Sequence, residues 1–322
     1  MSHSQRLLAQ YRYLAVPCAL FFALAVLALL RTPNLFSFSG LAGAVLVATP
    51  LILCTLALTP TVMAGRGTVD LSVGPLMGFI NVTLIAWLTK SGVTHPIAIF
   101  GWAMLVGVLW QIGQALIIIH VRVAPIIVTL SSYLILTGVN LLIMQRAGGL
   151  APDWMMSWGA GISLLSPVSF VLLGAIALWF LFWRSAFHTH LRLTGADERM
   201  AYTAGIKIET VRIGAHILSG VFVGLAAVSY TALISSGDPT QGSTYTLQAV
   251  TALVLGGASL AGGRGGAIGS ILGALNMFLI ANLLATFNFG TISGSATKLA
   301  FGLILIISLL VNVLAVSRVR AR

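Results

Sequence analysis

Residues 41–63 read LAGAVLVATPLILCTLALTPTVM, an apolar run without one charged side chain. A helix of about 20 such residues crosses the roughly 30 Å hydrocarbon core of a bilayer. Pro50 and Pro60 interrupt the run. Proline in a spanning helix frees a backbone carbonyl, which is tolerated where neighbouring protein or a wet cavity satisfies it. A broken helix beside a pathway is therefore expected here, with a simple packing kink as the alternative.

Working outward, apolar segments of similar length fall at 13–30, 71–89, 97–119, 124–144, 168–183, 211–234, 247–261, 267–286 and 299–316, which makes ten expected spans. The first is read as a span and not as a secretory leader: Arg31-Thr32-Pro33-Asn34 follows it instead of a small-residue cleavage site. The composition agrees, with 58% apolar residues and 7% charged ones and a mean hydropathy of +1.04. An ordinary soluble domain has about 25% charged residues, and a disordered chain has low hydrophobicity and many charges. Both classes are excluded, and an all-α polytopic membrane protein remains.

The net charge of +11 is explained by topology. With the N-terminus inside, only Arg31, Lys90, Arg146 and Lys298 of the 17 basic residues lie on the outer side. That asymmetry is the one expected of cytoplasmic loops, and it places both termini in the cytoplasm. It also removes the motive for a nucleic-acid partner. One transmembrane domain over 1–322 is expected, with cytoplasmic tails at 1–12 and 317–322 and a long cytoplasmic loop at 184–212. Spans 2–5 and 7–10 hint at an internal repeat, each block carrying a glycine-rich connector (65–78 and 256–273) of the kind transporter repeats contain.

No G-x-x-x-x-G-K-[ST] phosphate loop occurs: Gly262-Gly263-Arg264-Gly265-Gly266 lacks the Lys-Ser/Thr pair. The chain is expected to hold no ATP site, no metal and no catalytic residue. The six acids (Asp70, Asp153, Asp197, Glu198, Glu209 and Asp238) fall in loops or at span ends. A proton- or sodium-coupled carrier keeps an ionisable group near the bilayer midplane, so a stand-alone carrier is disfavoured. His188 and His190 are expected to be solvated loop residues, and His216 to be interfacial. Cys18 and Cys54 lie in apolar runs and read as packing residues.

Within the spans the polar residues are neutral. Asp70 and Ser72 at a span start, with Asn81, Gln111, Gln114, Asn140 and Asn276, are the candidates for a polar pathway. Gln111 and Gln114 share one helix face. Amides and hydroxyls beside an aromatic suit a neutral polyol such as a sugar; interhelical hydrogen bonding is the alternative for each. The pairs Gly74/Gly78, Gly220/Gly224 and Gly269/Gly273 read as close helix crossings.

The 184–212 loop carries a local signal. Asp197 is expected to cap a short helix over 198–204, with Glu198 favoured in its first turn and Gly205 as the left-handed stop. Such a helix is either a seat for a cytoplasmic partner or a plain surface helix.

Several segments together resemble the permease subunits of ribose-type monosaccharide ABC importers, over about residues 41–316. Gly67-Thr68-Val69-Asp70-Leu71-Ser72-Val73-Gly74 is similar to that family's G-G-I-D-L-S-V-G segment. Residues 195–206, GADERMAYTAGI, resemble its loop between spans six and seven, and Ser219-Gly220 with Gly224-Leu225-Ala226 resembles the stretch that follows. Most specific is LGGASLAGGRG at 255–265, with Gly269 and Gly273 beyond it.

The resemblance implies a type II importer permease of about ten spans in the bacterial inner membrane. Two such subunits, alike or different, would enclose the path. ATPase subunits carrying ATP and Mg would dock beneath, and a periplasmic solute-binding protein would deliver a monosaccharide or sugar-like solute. It assigns Gly195, Asp197, Glu198, Arg199, Ala201, Tyr202, Ala204, Gly205 and Ile206 to ATPase coupling. Gly74, Gly78, Gly256, Gly257, Gly262, Gly263, Gly265, Gly269 and Gly273 it assigns to helix packing and the gate. An ABC importer for a nucleoside or vitamin would share all of these motifs. The chain departs from the family pattern at Arg66 and Thr68, at Asp197, and at Thr246 and Gln248, where an acidic pair is usual. In the expected topology that last pair lies near the outer face, where its loss bears on binding-protein docking or on the usual substrate, or marks one half of a heterodimer.

Overall fold

The structure, a computed structural model, describes residues 12–159, 166–287, 297–308 and 310. The expected tails at 1–12 and 317–322 lie outside the described residues, save Arg12, and so does the last span beyond 310. Among the described residues the chain is helical and has no strand, only an isolated Gly148–Gly237 bridge. The helices are α1 (Ala15–Arg31), α2 (Phe38–Met63), α3 (Val73–Thr83), α4 (Pro96–Leu116), α5 (Pro125–Ile143) and α6 (Asp153–Trp158). They continue with α7 (Pro167–Arg184), α8 (Ala186–Ala196), α9 (Glu198–Thr203), α10 (Ile208–Ile234), α11 (Gln241–Leu255), α12 (Ala267–Ala285) and α13 (Thr297–Ser308).

Seven helical stretches among the described residues are long and apolar enough to cross a membrane. These are α2, α4, α5, α7, α10, α12, and α3 prolonged to Ser91 by a π turn at Leu84–Leu88 and a 3-10 turn. The α1 and α13 helices are apolar but shorter, and α11 has 15 residues.

The starts and stops follow from local chemistry. Ser37 accepts the Gly40 N–H at 3.0 Å to cap α2, and Pro96, Pro125 and Pro167 sit at first helical positions, where their missing N–H is not needed. The α11 helix runs over 241–255 and not over the expected 247–261. Asp238 Oδ1 accepts the Thr240 and Gln241 N–H groups at 2.8 and 3.1 Å, so the helix starts early. It stops at Gly256, before Gly257 at φ +82°.

The α2 and α10 helices form the centre, and α2 packs against α10, α11 and α12. The expected break in α2 does not occur: the helix is continuous, with Pro50 and Pro60 both buried inside it. Packing on several sides holds its direction. Thr49, Thr55 and Thr59 reach back to the carbonyls of Val45, Leu51 and Thr55 at 2.6, 2.7 and 2.8 Å, which hides the hydroxyls in an apolar environment. The α4 and α5 helices expose much of their surface, including Ile97 and Leu142. Such surface is normal where the solvent is lipid.

Glycines bring the central helices together. A Cβ on Gly220 of α10 would lie 2.6 Å from the Gly107 carbonyl oxygen of α4, and one on Gly224 would lie 2.8 Å from that of Ala103. The same holds for Gly242 of α11 against Gly74 and Gly78 of α3, and for Gly256 against Gly269, while Gly273 faces Ala252. Lipid tails are as apolar as leucine, so helices in a bilayer gain from close backbone approach and not from hydrophobic exclusion.

Gly220→Ala is therefore expected to lower stability by about 1–3 kcal/mol through overpacking. Gly113→Ala, in open space on α4, is expected to be neutral or stabilising by up to about 1 kcal/mol through helix propensity. Thermal unfolding of the detergent-solubilised variants checks the contrast.

Candidate functional site

The expected short helix is present as α9, ending one residue earlier than read. Asp197 accepts the N–H groups of Arg199 and Met200 at 2.9 and 3.0 Å, satisfying two of the donors that a helix N-terminus leaves open. At the other end Gly205 adopts φ +80°, and the Ile206 N–H closes on the Ala201 carbonyl at 3.1 Å. Ala201 is the buried member of this turn, while Met200 and Tyr202 are among the most exposed apolar side chains, at 69% and 75%. Asp197, Arg199, Ala204 and Gly205 are also exposed.

Glu198 ties α9 to the rest of the protein. Arg66 forks onto it, Nε to Oε2 at 2.7 Å and Nη2 to Oε1 at 2.6 Å. Arg212 of α10 donates from the other side at 3.0 and 3.3 Å. Burial pushes the Glu198 carboxyl up, but the hydrogen bonds and charge of Arg212 and Arg66 outweigh it, and the group sits below its ordinary value of 4.5.

The floor beneath the end of α8, the helix that leads into α9, is made of backbone. A Cβ on Gly195 would come within 2.5 Å of the Gly263 nitrogen, one on Gly262 within 2.8 Å of the Gly195 oxygen, and one on Gly263 within 2.8 Å of Ala196 Cα. The Gly263 N–H donates to the Met63 carbonyl at 3.0 Å. Three chain segments far apart in sequence (the end of α2, the end of α8 and the 256–266 loop) thus meet with no room for a side chain. Gly265 lies over the Met63 side chain, and Gly257 faces Tyr13.

From Arg66 the chain turns inward to Asp70, which has no exposed surface. Asp70 Oδ1 accepts the Ser72 N–H at 2.8 Å and the Ser72 hydroxyl at 2.7 Å, and Gln111 Nε2 donates to Oδ2. Gln114 Nε2 donates to the Ser72 hydroxyl at 2.6 Å, and Gln111 Oε1 pairs with His216 Nδ1 at 2.7 Å. Four of the residues read as pathway candidates are thereby joined in one network with a fifth, His216. That histidine is buried and hydrogen-bonded to α4, not interfacial as expected. It faces inward because it shares a face of α10 with Ser219 and Gly220, and nothing local in the sequence names its partner.

The other three candidates lie elsewhere. Asn81 pins α3 to the end of α10, donating to Thr231 Oγ1 and the Ser236 carbonyl at 2.9 and 3.0 Å and accepting the Asp238 N–H at 2.9 Å. Asn140 donates to the Pro75 carbonyl at 3.1 Å, and Asn276 to that of Pro17 at 3.0 Å. A cavity of about 1130 Å³ opens beside α9, lined by Arg66, Thr68, Arg122, Tyr202, Lys207 and Arg212 among others. None of the seven pathway candidates lines it.

His188 is half of a further correction. It sits in α8, buried edge-on against Phe182 with the rings 5.2 Å apart, and burial followed by the Arg192 charge lowers its pKa. Among the described residues no cluster of His, Cys, Asp or Glu is arranged to hold a metal.

Residues 39–310 match the family described as branched-chain amino acid transport system / permease component. The chain belongs to this permease family. It is 30% identical over 251 residues, 76% of each chain, to the ribose import permease protein RbsC of Bacillus subtilis (strain 168). It is 30% identical over 228 residues to the galactofuranose transporter permease protein YtfT of Escherichia coli (strain K12), covering 68% of this chain and 65% of that one. It is 29% identical over 228 residues, 68% of each chain, to the autoinducer 2 import system permease protein LsrD of Salmonella paratyphi B. No solved structure matches. The permease is a multi-pass inner-membrane protein, and the resemblance to ribose-type importer subunits stands.

Of the departures from the family pattern, Thr246 has its partners within the chain. It is buried in α11, donating to the Leu71 carbonyl at 3.1 Å and accepting the Gly74 N–H at 3.1 Å. Position 246, on the second turn of the helix, faces the start of α3.

The Glu198 pairs stabilise the folded permease above the ordinary carboxylate value, and that stability is lost as pH falls through the lowered one. Glu198 and Arg212 are largely covered but Arg66 is 61% exposed, so solvent screening limits the effect to about 1 kcal/mol. Between pH 5 and pH 3 the wild type is expected to lose about that much more stability than Glu198→Gln, read from denaturation midpoints in detergent.

Proposed function

We propose that this permease carries a monosaccharide or sugar-like solute across the inner membrane as the membrane subunit of an ATP-driven importer, with α9 as the seat of the ATPase. The observation that carries the reading is the build of α9. A six-residue helix capped at both ends presents Met200 and Tyr202 outward, while its first residue is a doubly paired carboxylate and the α8 end from which it springs is seated on glycine backbone. A plain surface helix has no need of such a foundation; one that receives force does.

On this reading the α9 side faces the cytoplasm, as the basic loops suggest. The chain forms one permease domain of ten crossings, counting α1, α11 and α13, with both termini inside. A second permease subunit, the same or different, completes the path. ATP and Mg belong to the partner ATPase, which performs the hydrolysis. A periplasmic solute-binding protein docks on the opposite side and selects the solute. The names of the relatives (ribose, galactofuranose and autoinducer 2 transport) support the sugar class. Asp197, Glu198, Arg199, Ala201, Tyr202, Ala204 and Gly205 are the coupling residues, with Gly195 and Ile206 at the edges of the turn.

Gly205→Val forces a β-branched residue into a left-handed conformation, and Ala204→Arg adds bulk to the exposed end of α9. Each is expected to reduce ATP-dependent uptake at least tenfold while the protein still reaches the membrane folded. Uptake assays in cells carrying the whole transport system, with a protease-resistance control, check this. Solute movement by the chain alone in vesicles, without ATPase or ATP, would overturn the proposal.

A further inference from the structure

Arg66 is a departure from the family pattern that enters the proposed function only as a partner of Glu198. It occupies a left-handed backbone conformation, φ +56°, between Gly65 at +84° and Gly67 at +65°. Such a conformation suits glycine and disfavours a branched or long side chain. An arginine there is held by what its side chain does, and the side chain makes a two-pronged bond to Glu198 of α9.

The segment that follows Arg66 is tied at nearly every step. Thr68 Oγ1 donates to the Gly65 carbonyl at 2.8 Å, and Thr129 of α5 donates to the Val69 carbonyl at 3.1 Å. Asp70 joins Gln111 of α4 and, through it, His216 of α10. Thr246 of α11 binds both Leu71 and Gly74. Residues 65–74 therefore bond directly to α4, α5 and α11 and reach α10 through Gln111, and Arg66 fastens the start of the segment to α9.

We propose that Arg66 is a positioning residue which makes α9 and the 65–74 segment move as one body, so that displacement of α9 is delivered to α4, α5, α10 and α11. The inference rests on the reading of α9 as the ATPase seat. Arg212 holds Glu198 to α10 alone, whereas Arg66 reaches the segment on which the four helices converge. Energetic linkage between sites needs a demonstrated response and not only spatial connection, which sets the form of the test.

The test uses the whole importer complex in nanodiscs, with spin labels at Lys90→Cys and Gln241→Cys, both exposed and on the side away from α9, and with Cys18 and Cys54 replaced by Ser. The label-to-label distance is measured without nucleotide and after trapping with ATP and vanadate. In the otherwise wild-type complex the distance is expected to shift on trapping. Arg66→Gly, which accepts the left-handed backbone freely, is expected to fold, keep its ATPase and hydrolyse ATP at the basal rate, with the shift reduced at least fivefold. Arg66→Lys, a point charge without the fork, is expected to restore part of it.

A full shift in Arg66→Gly overturns the inference, and so does an ATPase-bearing wild-type complex without any shift. Loss of the ATPase from Arg66→Gly overturns it too, because the residue would then act in docking. Failure of the wild-type chain to hold any ATPase is a separate result: it removes the proposed function itself.

Discussion

The constraint on which the rest of the structure depends is the burial of one carboxylate, Asp70, among apolar helices. A buried carboxyl group is costly unless hydrogen bonds satisfy its oxygens. Here the compensation comes from the Ser72 N–H and hydroxyl and from the Gln111 amide. That demand fixes neighbours in turn. Gln111 has to present its amide to Asp70, which leaves its oxygen for His216, and Gln114 has to cover Ser72. The α4 and α10 helices are thus held at a fixed register by polar atoms as well as by the contact of Gly107 with Gly220.

Glycine supplies the other half of the arrangement. In a bilayer the helices gain little by hiding apolar surface from one another, so attraction comes from dispersion at short range and from hydrogen bonds. The crossings of α4 with α10, of α3 with α11 and of α11 with α12 each use a glycine, and the floor under the end of α8 uses Gly195, Gly262 and Gly263 together. A floor of backbone has no rotamers to rearrange. On the proposed reading of α9, force passed from it to α8 would meet peptide planes, and force on Glu198 would meet its two arginines.

How much of this was legible depended on range along the chain. The spans followed from apolar runs, and α9 followed from Asp197, Glu198 and Gly205, because capping chemistry acts within one or two turns. The glycine pairs at spacing four marked crossings but not their partners. Missed were the interactions between residues far apart: Arg66 with Glu198 is separated by 132 positions and His216 with Gln111 by 105. No periodicity carries such a pairing. His216 read as interfacial because its distance from the span start was visible and its hydrogen-bond partner was not. Pro50 and Pro60 misled for a related reason. A proline weakens a helix locally, while the packing of α10, α11 and α12 around α2 overrides the weakness from outside.

The departures from the family pattern point the same way once placed in space. Arg66 and Thr246 look unrelated in sequence, yet they bind opposite ends of one segment, residues 65–74. Thr246 supplies a neutral hydroxyl that both donates and accepts, to Leu71 and Gly74. An ionised carboxylate in that buried position would only accept, leaving the Leu71 carbonyl without its donor. Threonine at 246 therefore suits a site that needs one donor and one acceptor, and Arg66 places a cation at the other end of the segment, where Glu198 takes it. The two substitutions are consistent with a subunit in which the 65–74 segment is secured at both ends.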